Sequence, residues 1–218
     1  MTPIKKPVSP ASPLRWYGGK AKMAKYLASL LPPHRTYVEA FGGAAQLLFY
    51  KQRSEHEVLN DIDADLMNFW RAVQSPALMP SLDSLLQLTP NSREEYAWCQ
   101  NAYDLTVDPV ERARQFFVLA KQSFNGAFRK GWSYATCSSY GSAFPNGVAR
   151  LNSAHQRLQG VTLENLHFRE LFERYDHPQT LFYLDPPYHH QTRASKARYQ
   201  HEMTETVKRQ LLSPVNDN

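Results

Sequence analysis

Apolar residues recur along this chain with two periods, and the switches between them predict its elements. Short continuous apolar runs at residues 36–41 (TYVEAF), 57–59, 162–168 and 180–184 (TLFYL) predict strands. Helical spacing predicts helices over 22–31, ended by Pro32-Pro33, and over 44–50 (AAQLLFY). A third helix, capped by Asp63, carries Leu66, Phe69, Trp70 and Val73 on one face. Further helices are predicted over 93–103, 110–122 and 146–158, the second with Ala113, Phe116, Phe117 and Ala120 aligned. Prolines and serines surround 76–89, and 123–147 is rich in Gly, Ser, Asn and aromatics, which suits loop or hairpin. The layout is α/β: a core at 14–74 and 161–204, interrupted by a largely helical insert at 75–160. A loosely ordered arm (1–13) precedes it and a divergent tail (205–218) follows.

Composition narrows the class of partner. A chain of 218 residues suffices for one α/β domain with a sizeable core. Its net charge of +5 favours a polyanionic partner. Cys99 and Cys137 lie in unrelated contexts, which argues against a disulfide framework or a zinc site and fits a reducing cytoplasm. No apolar run approaches the roughly 18 residues that a membrane span needs, so no membrane association is expected. The N-terminus has charge and proline but no apolar stretch, unlike a secretory signal.

The strand at 180–184 runs into Asp185-Pro186-Pro187-Tyr188. A residue before proline is held extended, which fixes where the Asp185 carboxylate points. Pro187 has no N–H, so the Pro186 carbonyl faces no local peptide donor. Carboxylate and bare carbonyl are a pair of acceptors, and an exocyclic amino group is a pair of donors. Tyr188 adds a flat face for stacking. These letters suit a pocket for an aromatic ring bearing an NH2 group; a stiff Pro-Pro turn is the alternative.

Strand, Gly42-Gly43, helix is the opening of a nucleotide-binding βαβ unit: the turn lets a ligand approach the backbone, and a helix start favours negative charge. Ala44 and Ala45 follow the pair, so this is not the dinucleotide fingerprint. Asp61, at the end of the next strand, stands where an acidic side chain takes up ribose hydroxyls in such folds. It could instead cap the following helix, a role that Asp63 can also fill.

Three separated pieces, RWYGGK, then VEAFGGAAQLLF with LNDIDADL, then YLDPPY, resemble in order and spacing the DNA adenine-N6 methyltransferases of the Dam type, especially phage and prophage versions. The resemblance covers roughly residues 14–203. It implies a Rossmann-like S-adenosylmethionine-dependent core, a DNA-recognition insert and double-stranded DNA as partner. On matched positions, Trp16, Lys20, Phe41 and Gly42 would line the cofactor site, Asp61 would hold its ribose, and Asp185 would sit between cofactor and base. Asp185, Pro186 and Tyr188 would be the catalytic set. The family often has glycine where Ala45 stands, and a methyl group there could crowd the cofactor.

Within the insert, SFNGAFRKGW resembles the family's recognition loop. Arg129 has the shape to read a guanine edge, while Asn125 and Lys130 suit phosphates. Phe124, Phe128 and Trp132 would brace the loop or wedge between bases; Lys121 and Arg114 read as a solvated helix face. Beyond the DPPY letters, Arg193 in HHQTRASKARYQH would contact phosphate, and His189-His190 lack a third ligand of suitable spacing for a metal. The family continues with further strands, so the sheet is expected to be incomplete and the Asp185 strand to have an open edge, which self-association could cover. An inactive relative that retains DNA or cofactor binding is the alternative. Enzymes acting on amino groups of RNA or protein more often carry Asn where Asp185 stands.

Overall fold

The computed structural model describes residues 11–14, 16, 19–124, 127–133 and 142–186. Among these, four parallel strands form one sheet in the order β3-β2-β1-β4: β1 Thr36–Glu39, β2 His56–Asn60, β3 Val161–Glu164 and β4 Thr180–Tyr183. The register pairs Glu39 with Leu59 on one side and Tyr183 on the other.

Alternation along the strands sorts the sheet into two faces. Val38, Ala40, Val58 and Phe182 belong to a smaller core with Phe41, Leu171 and Phe172. Tyr37, Leu59, Leu163, Leu181 and Tyr183 face the main core. That core contains residues of α2 (Gln46–Tyr50) and α3 (Ala64–Gln74), together with the helices of the insert. The latter are α4 Met79–Leu88, α5 Arg93–Ala102 with a 3-10 turn Tyr103–Leu105, α6 Pro109–Gln122, α7 Ala143–Val148 and α8 Leu151–Leu158. Phe69 stacks on both Phe116 (5.9 Å) and Phe117 (5.7 Å), so α3 and α6 share one interior.

Local chemistry explains most boundaries. Asp63 caps α3 by accepting from Asp65 N and Leu66 N, and Ser92 caps α5 by accepting from Glu95 N. Asp108 does the same for α6, with Pro109 in its first turn where a missing N–H costs nothing. The predicted strands at 57–59 and 180–184 and the helices at 93–103 and 110–122 are all present within a residue or two.

Several expectations are corrected. The helix predicted over 22–31 is present as the shorter α1, Ala24–Ser29. The strand predicted over 162–168 ends at Glu164, and Phe168 instead opens a helix, α9 Phe168–Tyr175, which covers the smaller core. Residues 79–88, read only as proline- and serine-flanked, form α4 with Met79, Leu82 and Leu86 buried. The helix predicted over 146–158 breaks at Ala149-Arg150 into α7 and α8. Arg114 is no solvated residue. It is 7% exposed, bonded to Glu111, Glu95 and Thr89.

Candidate functional site

Connections from β1 lead to β2 on one side, while β4 lies on the other, so the strand order reverses between β1 and β4. In open parallel sheets the carboxyl ends of the strands at such a reversal bound the ligand crevice. Three sequence-distant pieces meet there: Lys20 from the N-terminal turn, Gly42-Gly43 after β1, and Asp185 after β4.

The joining contact is an ion pair. Lys20 Nζ donates to both carboxylate oxygens of Asp185, at 2.6 Å each, and the two side chains are only 20% and 24% exposed. Lys20, expected on the cofactor wall, is thus also the group that fixes the Asp185 carboxylate. Pro186 is half-buried beside it. Tyr188, the third expected catalytic residue, lies outside the described residues, as do Asn125 and Arg193.

The glycine turn is closely built. Gly42 N donates to Asn60 O (2.8 Å), and a Cβ on Gly42 would stand 2.5 Å from Leu59 Cδ1 and 2.9 Å from Asn60 O. Gly43 takes φ +49°, and its Cβ would come within 3.1 Å of Trp16 Cδ1. The Trp16 indole therefore lies against this turn, and it stacks on Phe116 of α6 at 5.5 Å. Trp70 Nε1 donates to Gly43 O from below (3.1 Å). Phe41 packs on Phe168 of α9, ring centroids 5.8 Å apart.

Of the two candidate caps, the structure assigns the role to Asp63. Asp61 accepts from Gly43 N (2.9 Å) through Oδ2 and from Asp63 N (3.0 Å) through Oδ1. The negative charge that meets the glycine turn within the chain is the Asp61 carboxylate. The helix after the turn has five residues, and the Gly43 amide is turned to Asp61. Ala45 is fully buried at φ +52°, so its methyl group packs in the core.

Sequence reasoning missed two groups. Asn60 clasps the crevice floor, donating to Ala40 O (2.9 Å) and Leu166 O (3.1 Å) and accepting from Leu166 N (2.8 Å). Glu39, 3% exposed, accepts from Tyr37 Oη (3.0 Å) and Leu48 N (3.1 Å). Burial, aided by the charge of Asp185, pushes its carboxyl up to about 8 against those hydrogen bonds. A polar residue inside an apolar strand run was the available signal for Glu39.

In the insert, Arg129 sits at φ +59° with its guanidinium paired to Asp104 of the 3-10 turn, Nη1–Oδ1 2.7 Å and Nη2–Oδ2 2.9 Å. Lys130 is exposed next to it. Phe128 braces: it packs on Phe116 (5.0 Å), Tyr103 (5.6 Å) and Trp16 (6.0 Å). Trp132 stacks under Arg93 at 4.7 Å, whereas Phe124 is 54% exposed. The loop closes through an antiparallel bridge between Ser123 and Trp132. Among the described residues no helix is long and apolar enough to cross a membrane.

The residues present suit a ligand such as S-adenosylmethionine, which carries a cation and ribose hydroxyls: Asp61 and Asp185 follow the strands on either side of β1, and the closely built glycine turn follows β1 itself. Comparison with known proteins points to a methyltransferase. Residues 16–216 match the profile of the D12 class N6 adenine-specific DNA methyltransferases. The chain is 27% identical over 197 residues to the type II methyltransferase M.MjaIII of Methanocaldococcus jannaschii, covering 80% of this chain and 68% of that protein. It is 28% identical over 181 residues to a DNA adenine methylase of Vibrio cholerae, 80% of this chain and 64% of that protein. It is 32% identical over 123 residues to a DNA N-6-adenine-methyltransferase of Escherichia phage P1, covering 53% and 15% respectively.

Proposed function

The chain belongs to the D12 class N6 adenine-specific DNA methyltransferase family, and on that premise we propose that it transfers a methyl group from S-adenosylmethionine to N6 of an adenine turned out of duplex DNA. The Lys20–Asp185 pair beside the glycine turn and Asp61 carries this reading. S-adenosylmethionine supplies a methyl group already activated on a sulfonium, so the chemistry asks the protein for positioning and charge.

The adenine amino nitrogen is a poor nucleophile because its lone pair is delocalised into the ring. Accepting its two hydrogens, at the Asp185 carboxylate and the Pro186 carbonyl, draws the nitrogen toward tetrahedral geometry and localises that lone pair. Preorganised acceptors of this kind contribute about 3–4 kcal/mol to a barrier. Lys20 holds the carboxylate in one orientation, so little reorganisation is needed. The nitrogen gains a methyl group and must lose one proton, and Asp185, which already accepts that hydrogen, is the first base available to it. Asp61 offers acceptors to ribose hydroxyls, and the Trp16 indole offers a flat apolar surface above the glycine floor. Stacking on Tyr188 would offset part of the unstacking cost of the extruded base.

The test is transfer of labelled methyl from S-adenosylmethionine to an adenine-containing duplex. The chain is expected to label the duplex, and Asp185→Ala to lose at least about 10³-fold in rate while keeping the circular dichroism spectrum of the folded chain. Full activity in that variant would refute the role. Cofactor binding without labelling by the unaltered chain would reduce the proposal to a binding function.

A further inference from the structure

We propose that Asp104 is a specificity-determining residue that reserves Arg129 for the neutral acceptor edge of a base and keeps it from phosphates. The proposal rests on the reading of Arg129 as a base-contacting residue.

The pair is built, and it is held from several sides. Both terminal nitrogens of Arg129 meet one Asp104 oxygen each, at 2.7 and 2.9 Å, a fork-to-fork geometry. Arg129 Nη2 also leans on Gln100 O (3.4 Å), and Gln100 Nε2 donates to Arg129 O (3.3 Å), so main chain and side chain are tied to the same helix end. The guanidinium lies 5.3 Å from the centre of the Tyr103 ring, which Arg112 also approaches at 4.5 Å. Arg112 in turn fixes the turn that bears Asp104, donating to Tyr103 O (2.7 Å) and Thr106 O (3.1 Å) while pairing with Asp65 of α3. Arg129 holds the Asp104 carboxyl below its ordinary range, so it stays charged wherever DNA binding is measured.

As a stabilising device this pair is weak, because the side chains are 32% and 68% exposed. Its effect on recognition is larger. A solitary arginine on a basic surface takes any phosphate, which adds affinity without sequence information. A phosphate reaching Arg129 here brings its negative charge against that of Asp104. The O6 and N7 edge of guanine offers two acceptors with no net charge, and meets no such repulsion. Asp104 therefore penalises the indiscriminate contact more than the informative one.

The test uses the full chain and a library of short duplexes with randomised sequence around a central adenine, selected by binding and sequenced. Asp104→Asn keeps the shape and removes the charge. It is expected to bind random duplex about 3–10-fold more tightly, to steepen the salt dependence by about one counterion, and to lose preference at one flanking position. Arg129→Ala is expected to lose preference at that same position. Asp83→Asn, a half-buried acid of α4 bonded to Gln87 on its own helix, serves as the charge-matched control and should leave the preferred sequence intact. A preference lost in Arg129→Ala but intact in Asp104→Asn, with an unchanged salt slope, would overturn the role of Asp104 alone. A preference intact in Arg129→Ala would overturn the reading of Arg129 and this proposal with it.

Discussion

Glu39 is a carboxylic acid that the fold keeps dry. Its carboxyl is pushed up to about 8 by burial and the nearby charge of Asp185, although the Tyr37 hydroxyl and the Leu48 amide both stabilise its anion. The folded chain therefore holds this proton more tightly than the unfolded one, whose glutamate titrates near 4.5. The resulting stabilisation is complete below pH 4.5 and is lost as pH rises toward 8. Glu39→Gln keeps an acceptor for both donors and cannot ionise. Urea midpoints of the two chains between pH 4.5 and 8 should diverge in favour of the variant by up to about 1.4 kcal/mol per pH unit. Parallel curves would show that Glu39 is ionised when folded. Residues of the site were legible where their letters fall in a local motif: Asp185 before two prolines, Asp61 after a strand, Gly42-Gly43 between strand and helix. Glu39 showed only as a charged letter in an apolar run, because its hold on a proton depends on Leu48, brought to it by α2, and on Asp185, brought near by the pairing of β1 with β4. Asp104 was hidden for the same reason, twenty-five residues from the arginine that it pairs with.

Among the elements, α6 holds the insert together, and Arg114 shows how. Its guanidinium bonds Glu111 on its own helix, Glu95 on α5 and Thr89 after α4, and lies 5.4 Å from the Trp98 ring. Hydrogen bonds to the two glutamates outweigh the cost of burial and raise its affinity for its proton. Arg114→Ala strands two partly buried carboxylates and is expected to cost about 2–3 kcal/mol in chemical denaturation, somewhat below the loss typical of a fully buried pair. A change under about 0.5 kcal/mol would mean that the glutamates are satisfied by water. Helices with an uninterrupted apolar stripe, α3, α5 and α6, could be read from spacing alone. In α9, Phe168, Leu171, Phe172 and Tyr175 have helical spacing, but Phe168 also continues the apolar run at 162–168, and a period needs its first residue. In α4, the surrounding prolines and serines gave no period to read, although Pro80 in the first turn is compatible with a helix. The break at Ala149-Arg150 depends on how α7 packs on α6, where Phe144 meets Phe117 at 5.5 Å, and no local letter announces it.

Across the whole molecule, the segment that bears Arg129 and the proposed cofactor floor are parts of one packed unit. One route is aromatic: Phe128, next to Arg129, packs on Trp16 and Phe116, and Trp16 lies against Gly43. The other is polar: the turn bearing Asp104 is held by Arg112, which pairs with Asp65 two residues beyond the Asp63 cap. If cofactor and DNA bind at the two ends, the factor by which one raises affinity for the other must be equal in both directions. Spatial continuity alone does not prove such coupling, so it has to be measured. Phe128→Leu keeps apolar volume beside Trp16 but removes the tilted ring contacts, and it alters no group assigned to either ligand. Titrating S-adenosylhomocysteine with and without a duplex, and the duplex with and without S-adenosylhomocysteine, gives the factor twice. In the unaltered chain the two values should agree and exceed one by about 5-fold or more. In Phe128→Leu both should fall toward one, with the affinity for each ligand alone within about 3-fold of the original. A coupling factor that survives this substitution would assign the communication to the Asp65–Arg112 route, and Asp65→Asn would then be the variant that abolishes it.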